Sequence, residues 1–104
     1  MEVPMVKEIT LITVDPKEAG DFEKTFMEIT PVIRRQPGYL YDELLRVVEN
    51  DYEYMLVIHW ESVESHKAFV DSDEFELVAG PWGPFQKKAV VKHCRLITHS
   101  GKIL

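Results

Sequence analysis

The chain has 104 residues, a length that suits one compact domain with a hydrophobic core and excludes two ordinary domains. Apolar residue types make up 45% of the chain, so the composition indicates a folded protein rather than a disordered one. Twelve Lys and Arg against eighteen Asp and Glu give a net charge of −6. This balance argues against a nucleic-acid or anionic-membrane partner, because few cations are available to neutralise phosphates.

The first predicted elements are a strand and an amphipathic helix. Residues 6–14 are rich in β-branched side chains and end at Asp15 and Pro16, which predicts a strand followed by the capped start of a helix. Pro37 and Gly38 end that helix. Its inward face is predicted from apolar residues at spacings of four, three and four, namely Phe22, Phe26, Ile29 and Ile33.

The remaining pattern predicts three strands and two helical segments. In order, these are strands at 39–49 and 52–60, helical segments that open at Ser62 and span 73–79, an irregular aromatic loop at 80–85, and a strand at 89–98. The order βαββαβ predicts a ferredoxin-like α+β sandwich with a four-stranded antiparallel sheet and both helices on one face. We expect a single domain over 1–104, with its core at about 6–98 and a short polar C-terminal tail.

The third predicted strand is apolar on both of its faces. Its side chains alternate between two apolar sets: Tyr54, Leu56, Ile58 and Trp60 on one face, Met55 and Val57 on the other. A sheet face in contact with water should instead be polar, so the second face needs a cover. We therefore expect a homodimer in which the two sheets pack face to face.

The cysteine content and the N-terminus bear on the cellular compartment. The single cysteine, Cys94, cannot form an intrachain disulfide and is expected to be a small buried side chain in the last strand. The first residues lack the basic and apolar regions of a signal peptide, and the longest apolar run, 54–58, is too short to span a membrane. These features predict a cytoplasmic protein with no membrane partner.

Four segments carry recognisable family motifs: residues 37–40, 59–69, 72–75 and 91–94. With their Pro-Gly-aromatic, Trp-x-Ser, Ser-x-x-Phe and Val-x-His patterns, they resemble the antibiotic biosynthesis monooxygenase family. The resemblance implies a dimeric α+β barrel with a site between the helices and the sheet of each subunit, and with Trp60 in its wall. Members of this family include cofactor-independent oxygenases that convert anthrones or phenols to quinones, and also haem-degrading oxygenases.

Positions that carry chemistry in this family hold other residues here. The resemblance places the histidine and the asparagine of haem-degrading members at about Ala79 and Glu8, which predicts that this chain does not degrade haem. The asparagine and the tyrosine of quinone-forming members fall on Leu56 and His66. The tryptophan is therefore kept while its polar partners have changed.

His66 is the candidate catalytic residue. In a helix that begins at Ser62, it lies on the inward face with Phe69 and Val70, close to Trp60. An imidazole with a pKa near ~6.5 could remove a proton from a phenol or an anthrone, and the resulting anion can reduce dioxygen without a metal. The alternative is a structural histidine beneath the helix, because the sequence fixes no carboxylate partner for it.

A further set of residues is predicted to contact an aromatic substrate: Trp60, Leu56, Phe69, Phe26 and Trp82. Trp60 would stack against the substrate, with a purely structural core position as the alternative. Trp82 and Phe85 would either close the cleft over an apolar ligand or pack at the edge of the sheet.

The other histidines are assigned structural positions. His59 points to the opposite face from its neighbour in the strand, His93 belongs to the last strand, and His99 lies in the tail. No spacing typical of metal ligands occurs, so no metal site is expected. The resemblance to cofactor-independent oxygenases implies that no other cofactor is needed. On the second strand, Asp42 and Arg46 share a face and are predicted to pair.

Together these features predict a cofactor-independent monooxygenase that oxidises a small aromatic, phenol- or anthrone-like substrate with dioxygen. Two alternatives stay open: a dimeric module that binds a small apolar metabolite without catalysis, and an isomerase on the same fold. A phosphorylated substrate is disfavoured because the basic residues near the predicted cleft lie at element ends: Arg34, Arg35, Lys87 and Lys88.

Overall fold

A computed structural model describes residues 6–101 of the chain. Its elements are β1 (Val6–Thr13), α1 (Ala19–Arg34), β2 (Tyr39–Arg46), β3 (Glu53–Trp60), α2 (Val63–Val70), α3 (Glu76–Trp82) and β4 (Lys88–Arg95). Short 3₁₀ turns precede α1 and α3, and another follows α3. The predicted domain limits of 1–104 reach outside the described residues. Within 6–101, no helix has the length and apolar character needed to cross a membrane.

The strands form one antiparallel sheet in the order β2-β3-β1-β4. The two central strands pair over their full length, from Val6 opposite Trp60 to Thr13 opposite Glu53. The helices cover one face of this sheet, because their buried residues and one face of the strands form a single apolar cluster. The predicted ferredoxin-like α+β sandwich is therefore confirmed.

The core lies between the helices and the covered face of the sheet. The predicted stripe of α1 is fully buried: Phe22, Phe26, Ile29 and Ile33. The inward residues of β3 are buried as well: Tyr54, Leu56, Ile58 and Trp60. Because Phe22 and Trp60 are both 0% exposed, the packing of helices on the sheet excludes water from both side chains.

Residues 80–85 differ from the predicted irregular loop. α3 continues through Pro81 to Trp82, and a 3₁₀ turn covers Gly83–Phe85. Trp82 anchors the segment, because its ring stacks on Phe22 with the centroids 4.8 Å apart and its Nε1–H donates to the Phe22 carbonyl oxygen at 3.0 Å. Burial of the indole against α1 outweighs the helical hydrogen bond lost at the proline.

The predicted pair between Asp42 and Arg46 is wrong. α1 lies over the same face of β2 and supplies closer partners for both side chains. Arg34 donates to Asp42 with an Nε–Oδ2 distance of 3.0 Å, and Arg46 pairs with Glu23. The spacing within a strand could not reveal partners that come from a packed helix.

The other face of the sheet is covered by none of the described helices. Large apolar side chains remain exposed there on three strands, with Leu11, Leu45 and Val90 exposed by 46%, 44% and 36%. Cys94 also lies on this face and is half-buried rather than buried as predicted, because β4 is an edge strand. The sheet is thus apolar on both faces, as predicted, while the homodimer stays a prediction.

Candidate functional site

A cavity of about 360 Å³ lies between the helix layer and the sheet. One wall is formed by the inward residues of β1, β3 and β4, and the opposite wall mainly by α2 and α3. The lining is largely apolar and includes Leu56, Phe69, Val78, Trp82 and Val91. Its polar side chains are Glu8, Thr10, His66 and Gln86, with no Lys or Arg among the described lining residues.

Glu8 is a buried carboxylate on the central strand β1. Its side chain points towards the helices, because β1 alternates between buried and more exposed residues and Glu8 falls on the buried side. The Trp60 Nε1–H donates to Oε1 at 3.0 Å, and the Thr10 hydroxyl donates to Oε2 at 3.1 Å. Each carboxylate oxygen therefore accepts a hydrogen bond that compensates for its burial.

His66 faces this carboxylate from α2. The hydroxyl of Ser62 caps the helix, which places His66 in the first turn above the sheet. Its ring stacks on Trp60 with the centroids 5.5 Å apart, and its Nε2 lies 3.2 Å from Glu8 Oε1. Its Nδ1 is hydrogen-bonded to Nε2 of His93 at 2.7 Å. We refer to Glu8, His66 and His93 as the Glu–His–His cluster.

The surroundings of His66 set its protonation state. Burial, the largest effect, lowers the pKa of His66 below the ordinary imidazole value; the Glu8 carboxylate raises this pKa, and the His93 ring lowers it. The net shift is downward, so His66 is neutral at neutral pH and can accept a proton. The carboxylate of Glu8 then stabilises the imidazolium that forms.

The structure brings four of the predicted site residues to the cavity: His66, Leu56, Phe69 and Trp82. Trp60 does not form the lining, because the ring of His66 covers its indole and leaves it 0% exposed. Phe26 packs on Trp82 with the centroids 5.0 Å apart and lines a separate groove between α1 and β2. Contact of Trp60 or Phe26 with a substrate stays a prediction.

The two aromatic residues at the end of α3 have different surroundings. Trp82 both lines the cavity and packs on α1, whereas Phe85 packs edge-on against Phe22 with the centroids 6.3 Å apart. Val70, predicted to point inwards, is 40% exposed and still contributes to the lining at the cavity's edge. Trp82 therefore lines the cavity and Phe85 does not, while closure over a ligand stays a prediction.

Sequence reasoning missed the roles of Glu8 and His93 in this site. Glu8 was noted only as a departure from the family, and His93 only as a structural residue. A signal for Glu8 exists, because Glu8 and Thr10 interrupt the inward face of an otherwise apolar strand. The meeting of His66 with His93 has no local signal, since it depends on β4 pairing with β1, which sets His93 opposite Glu8.

A second groove, of about 370 Å³, runs between α1 and β2. Four of its five charged lining residues are bound in two sets: Glu23 with Arg46 and Tyr54, and Asp42 with Arg34 and Tyr39. The hydrogen bond from Tyr54, followed by that from Arg46, lowers the pKa of Glu23. Burial, aided by Asp42, raises the pKa of Tyr39 to about 12. These groups keep one charge state around neutral pH, so the groove is poorly suited to proton transfer.

The donor atoms of the Glu–His–His cluster form a row rather than a ring around one point. Within residues 6–101, no group of three or more His, Cys, Asp or Glu side chains is arranged to hold a metal ion. The chemistry available to the cluster is to accept a proton and to hold the resulting positive charge beside a carboxylate.

The sequence of the chain is similar to those of known proteins. A family model described as antibiotic biosynthesis monooxygenase matches residues 5–79. A heme oxygenase (mycobilin-producing) from Mycobacterium tuberculosis is 33% identical over 78 residues, which cover 75% of this chain and 73% of that protein. The residues matched by the family model include the whole of β1, α1, β2, β3 and α2, among them Glu8 and His66.

Two solved structures share the fold over nearly the whole chain. One, described as a candidate antibiotic biosynthesis monooxygenase from Bordetella bronchiseptica, is 29% identical with a TM-score of 0.82, covering 97% of this chain and 99% of that one. The other is SnoaB, a cofactor-independent oxygenase from Streptomyces nogalater, at 21% identity and a TM-score of 0.71, covering 94% and 96%. At this level of identity, the similarity to SnoaB shows a shared fold only.

Proposed function

Because the chain belongs to the antibiotic biosynthesis monooxygenase family, we propose that it is a cofactor-independent monooxygenase acting on a small, neutral phenol- or anthrone-like compound. The observation that carries the proposal is the Glu–His–His cluster, two of whose residues, Glu8 and His66, line an apolar cavity, with His66 neutral at neutral pH. A neutral imidazole beside a carboxylate is suited to remove a weakly acidic proton.

The reaction requires no electron donor other than the substrate. The cluster removes a proton from an activated CH₂ or a phenol, and the carbanion or phenolate transfers one electron to dioxygen. The two radicals combine into a peroxide, which loses water to leave a carbonyl group. For an anthrone, one CH₂ and one O₂ give one C=O and one H₂O, so the four electrons lost by carbon are those gained by dioxygen.

The cluster stabilises the charge that develops during proton removal. Protonation makes the His66 ring an imidazolium, and its Nε2 lies 3.2 Å from Glu8 Oε1. Glu8 is itself held by the indole N–H of Trp60 and the hydroxyl of Thr10, so it need not reorganise when the charge forms. Under this proposal Trp60 acts by fixing the carboxylate.

The lining of the cavity selects a neutral and mostly apolar substrate. Leu56, Phe69 and Trp82 provide apolar and aromatic contact surface. The described lining contains no Lys or Arg, and the carboxylate of Glu8 repels an anionic group. A phosphorylated or carboxylated compound would therefore be bound poorly.

The similarity to a heme oxygenase makes haem the alternative ligand to test. Three features argue against haem in this cavity. The described lining offers no cation for the propionate groups, and both ring nitrogens of His66 already face protein partners, Glu8 and His93. Ala79, which lies in the lining, cannot ligate iron.

The proposal is tested by dioxygen uptake with the purified full-length chain. A panel of anthrones and hydroquinones is supplied with a metal chelator present, and haem binding is followed separately by absorbance. We expect uptake of one O₂ per quinone formed, a loss of about 100-fold in kcat for His66→Gln, and no change for His99→Gln in the exposed tail. Uptake at background across the panel, or tight haem binding with haem turnover, would count against it.

A further inference from the structure

We propose that the proton-accepting atom of the cluster is Nδ1 of His93, and that His66 acts behind it by holding the positive charge next to Glu8. The catalytic role of His93 rests on the proposed function. The positions of the protons in the cluster do not, because they can be measured without turnover. The sequence pointed to His66 as the base. The contacts of the two rings indicate His93 instead as the residue that accepts the proton.

The carboxylate of Glu8 fixes the tautomer of His66. Glu8 accepts hydrogen bonds at both oxygens, from Trp60 and Thr10, so it is a carboxylate that faces donors. Its Oε1 lies 3.2 Å from Nε2 of His66. The negative carboxylate would repel a lone pair on Nε2 and attracts a proton there. His66 therefore carries its proton on Nε2, which leaves the lone pair on Nδ1.

The tautomer of His66 in turn fixes that of His93. Nδ1 of His66 lies 2.7 Å from Nε2 of His93, a hydrogen bond in which one nitrogen must donate. Because Nδ1 of His66 has the lone pair, Nε2 of His93 carries the proton. The lone pair of a neutral His93 is then on Nδ1, for which the described side chains provide no hydrogen-bond partner.

His93 lies just beyond the described lining of the cavity, where its side chain is accessible. His93 is exposed, whereas His66 retains only 12% of its side-chain surface. On β4, Ala89 and Val91 line the cavity, and His93 is the next residue on the same face. On the paired strands, Glu8 lies directly opposite His93 in β1, and Arg95 is the next residue of β4 on the same face.

The proton transfer is balanced across the two rings. A substrate proton binds to Nδ1 of His93, while the proton on Nε2 of His93 moves to Nδ1 of His66. The substrate becomes an anion, His93 is again neutral, and His66 becomes an imidazolium with both nitrogens protonated. Its positive charge then lies against the Glu8 carboxylate, 3.2 Å from Nε2. The reverse transfer returns the proton to the peroxide anion, which then loses water, and the cluster is back in its resting state.

The proton positions can be measured without a substrate. In the uniformly ¹⁵N-labelled chain at pH 7.5, long-range ¹H–¹⁵N spectra distinguish protonated from unprotonated ring nitrogens. We expect both His66 and His93 to show a protonated Nε2 and an unprotonated Nδ1. A proton on Nδ1 of either ring would overturn the proposal.

Turnover variants then separate His93 from His66. His93→Gln keeps an N–H donor for Nδ1 of His66 but supplies no basic nitrogen, so we expect a loss of about 100-fold in kcat with little change in KM. Added imidazole should restore part of the activity of His93→Ala, and His99→Gln should match the wild type. Activity of His93→Gln within twofold of the wild type would overturn the inference.

The two proposals fail in different ways. If the wild-type protein oxidises no compound of the panel, the proposed oxygenase activity fails. The spectra still decide whether His93 carries the free lone pair of the cluster.

Discussion

A carboxylate on the inward face of a central strand is costly unless its surroundings supply donors. Glu8 is 6% exposed, and its two oxygens are matched by Trp60 and Thr10, with His66 beside them. An apolar residue at this position would pack as well and would leave Trp60 without a partner for its N–H. Glu8 therefore both satisfies the buried N–H of Trp60 and orients His66 in the site.

The lowered pKa of His66 makes the stability of the protein depend on pH. Its folded-state pKa lies below the unfolded value near ~6.5, so the unfolded chain binds more protons as the pH falls through this range. The stability is therefore fully present above about pH 6.5 and is lost as the pH falls through the folded pKa. Burial also lowers the pKa of His59, which adds to the same dependence of stability on pH.

We expect the free energy of unfolding in urea to fall between pH 7.5 and pH 5, and to fall less in His66→Gln. Glu23 and Asp42 contribute little in this window because both have lowered pKa values. Hydrogen bonds from Tyr54 and Arg46 lower the pKa of Glu23; burial raises that of Asp42, but hydrogen bonds from Arg34 and Tyr39 outweigh it. His99→Gln, in the exposed tail, serves as the control and should keep the wild-type slope. An unchanged slope in His66→Gln would contradict the neutral, buried state of this ring.

At the scale of elements, Gly38 determines how closely α2 approaches the start of β2. Its φ of +85° is in the left-handed region, and an added Cβ would lie 2.5 Å from the Cβ of Ser65, the neighbour of His66. We expect Gly38→Ala to cost more than about 2 kcal/mol, since the backbone strain alone is roughly 1–2 kcal/mol. The measurement is urea unfolding at pH 7.5.

Gly20 provides the matched control for this substitution. It lies near the start of α1 with no atom within 4 Å of an added Cβ, so Gly20→Ala should be neutral or stabilise by up to about 1 kcal/mol. Equal stability of the two alanine variants would show that Ser65 does not pack against Gly38. Gly38→Ala should also weaken activity, because His66 is displaced together with α2.

Elements formed by interactions between residues close in sequence could be predicted, whereas those that depend on contacts between distant parts of the chain could not. The stripe of α1 and the alternation of β3 are local patterns, and both were predicted. The helical path through Pro81 was not, because it depends on Trp82 stacking against Phe22 of a distant helix. The site divides in the same way: His66 was found from helical spacing, whereas its contact with His93 requires the pairing of β1 with β4.

At the scale of the whole molecule, the uncovered face of the sheet suits a second copy of the chain. Apolar side chains of β1 and β3, including Ile9 and Met55, occupy its middle. Charges of opposite sign lie towards its two edges: Glu43 and Glu53 on the β2 side, Lys88 and Lys92 on β4. A twofold axis parallel to the strands would set β2 of one copy over β4 of the other, which brings acidic side chains towards basic ones.

We therefore expect a homodimer, with twice the mass of the chain by light scattering at micromolar concentration. Leu11→Glu places a charge in the middle of the uncovered face, where the wild-type side chain is 46% exposed, and should shift the protein to a monomer. Met27→Glu is the control, because Met27 is 73% exposed on α1, on the opposite layer, and should leave the dimer intact. A wild-type monomer at this concentration would refute the face-to-face packing, as would a Leu11→Glu variant that stays dimeric.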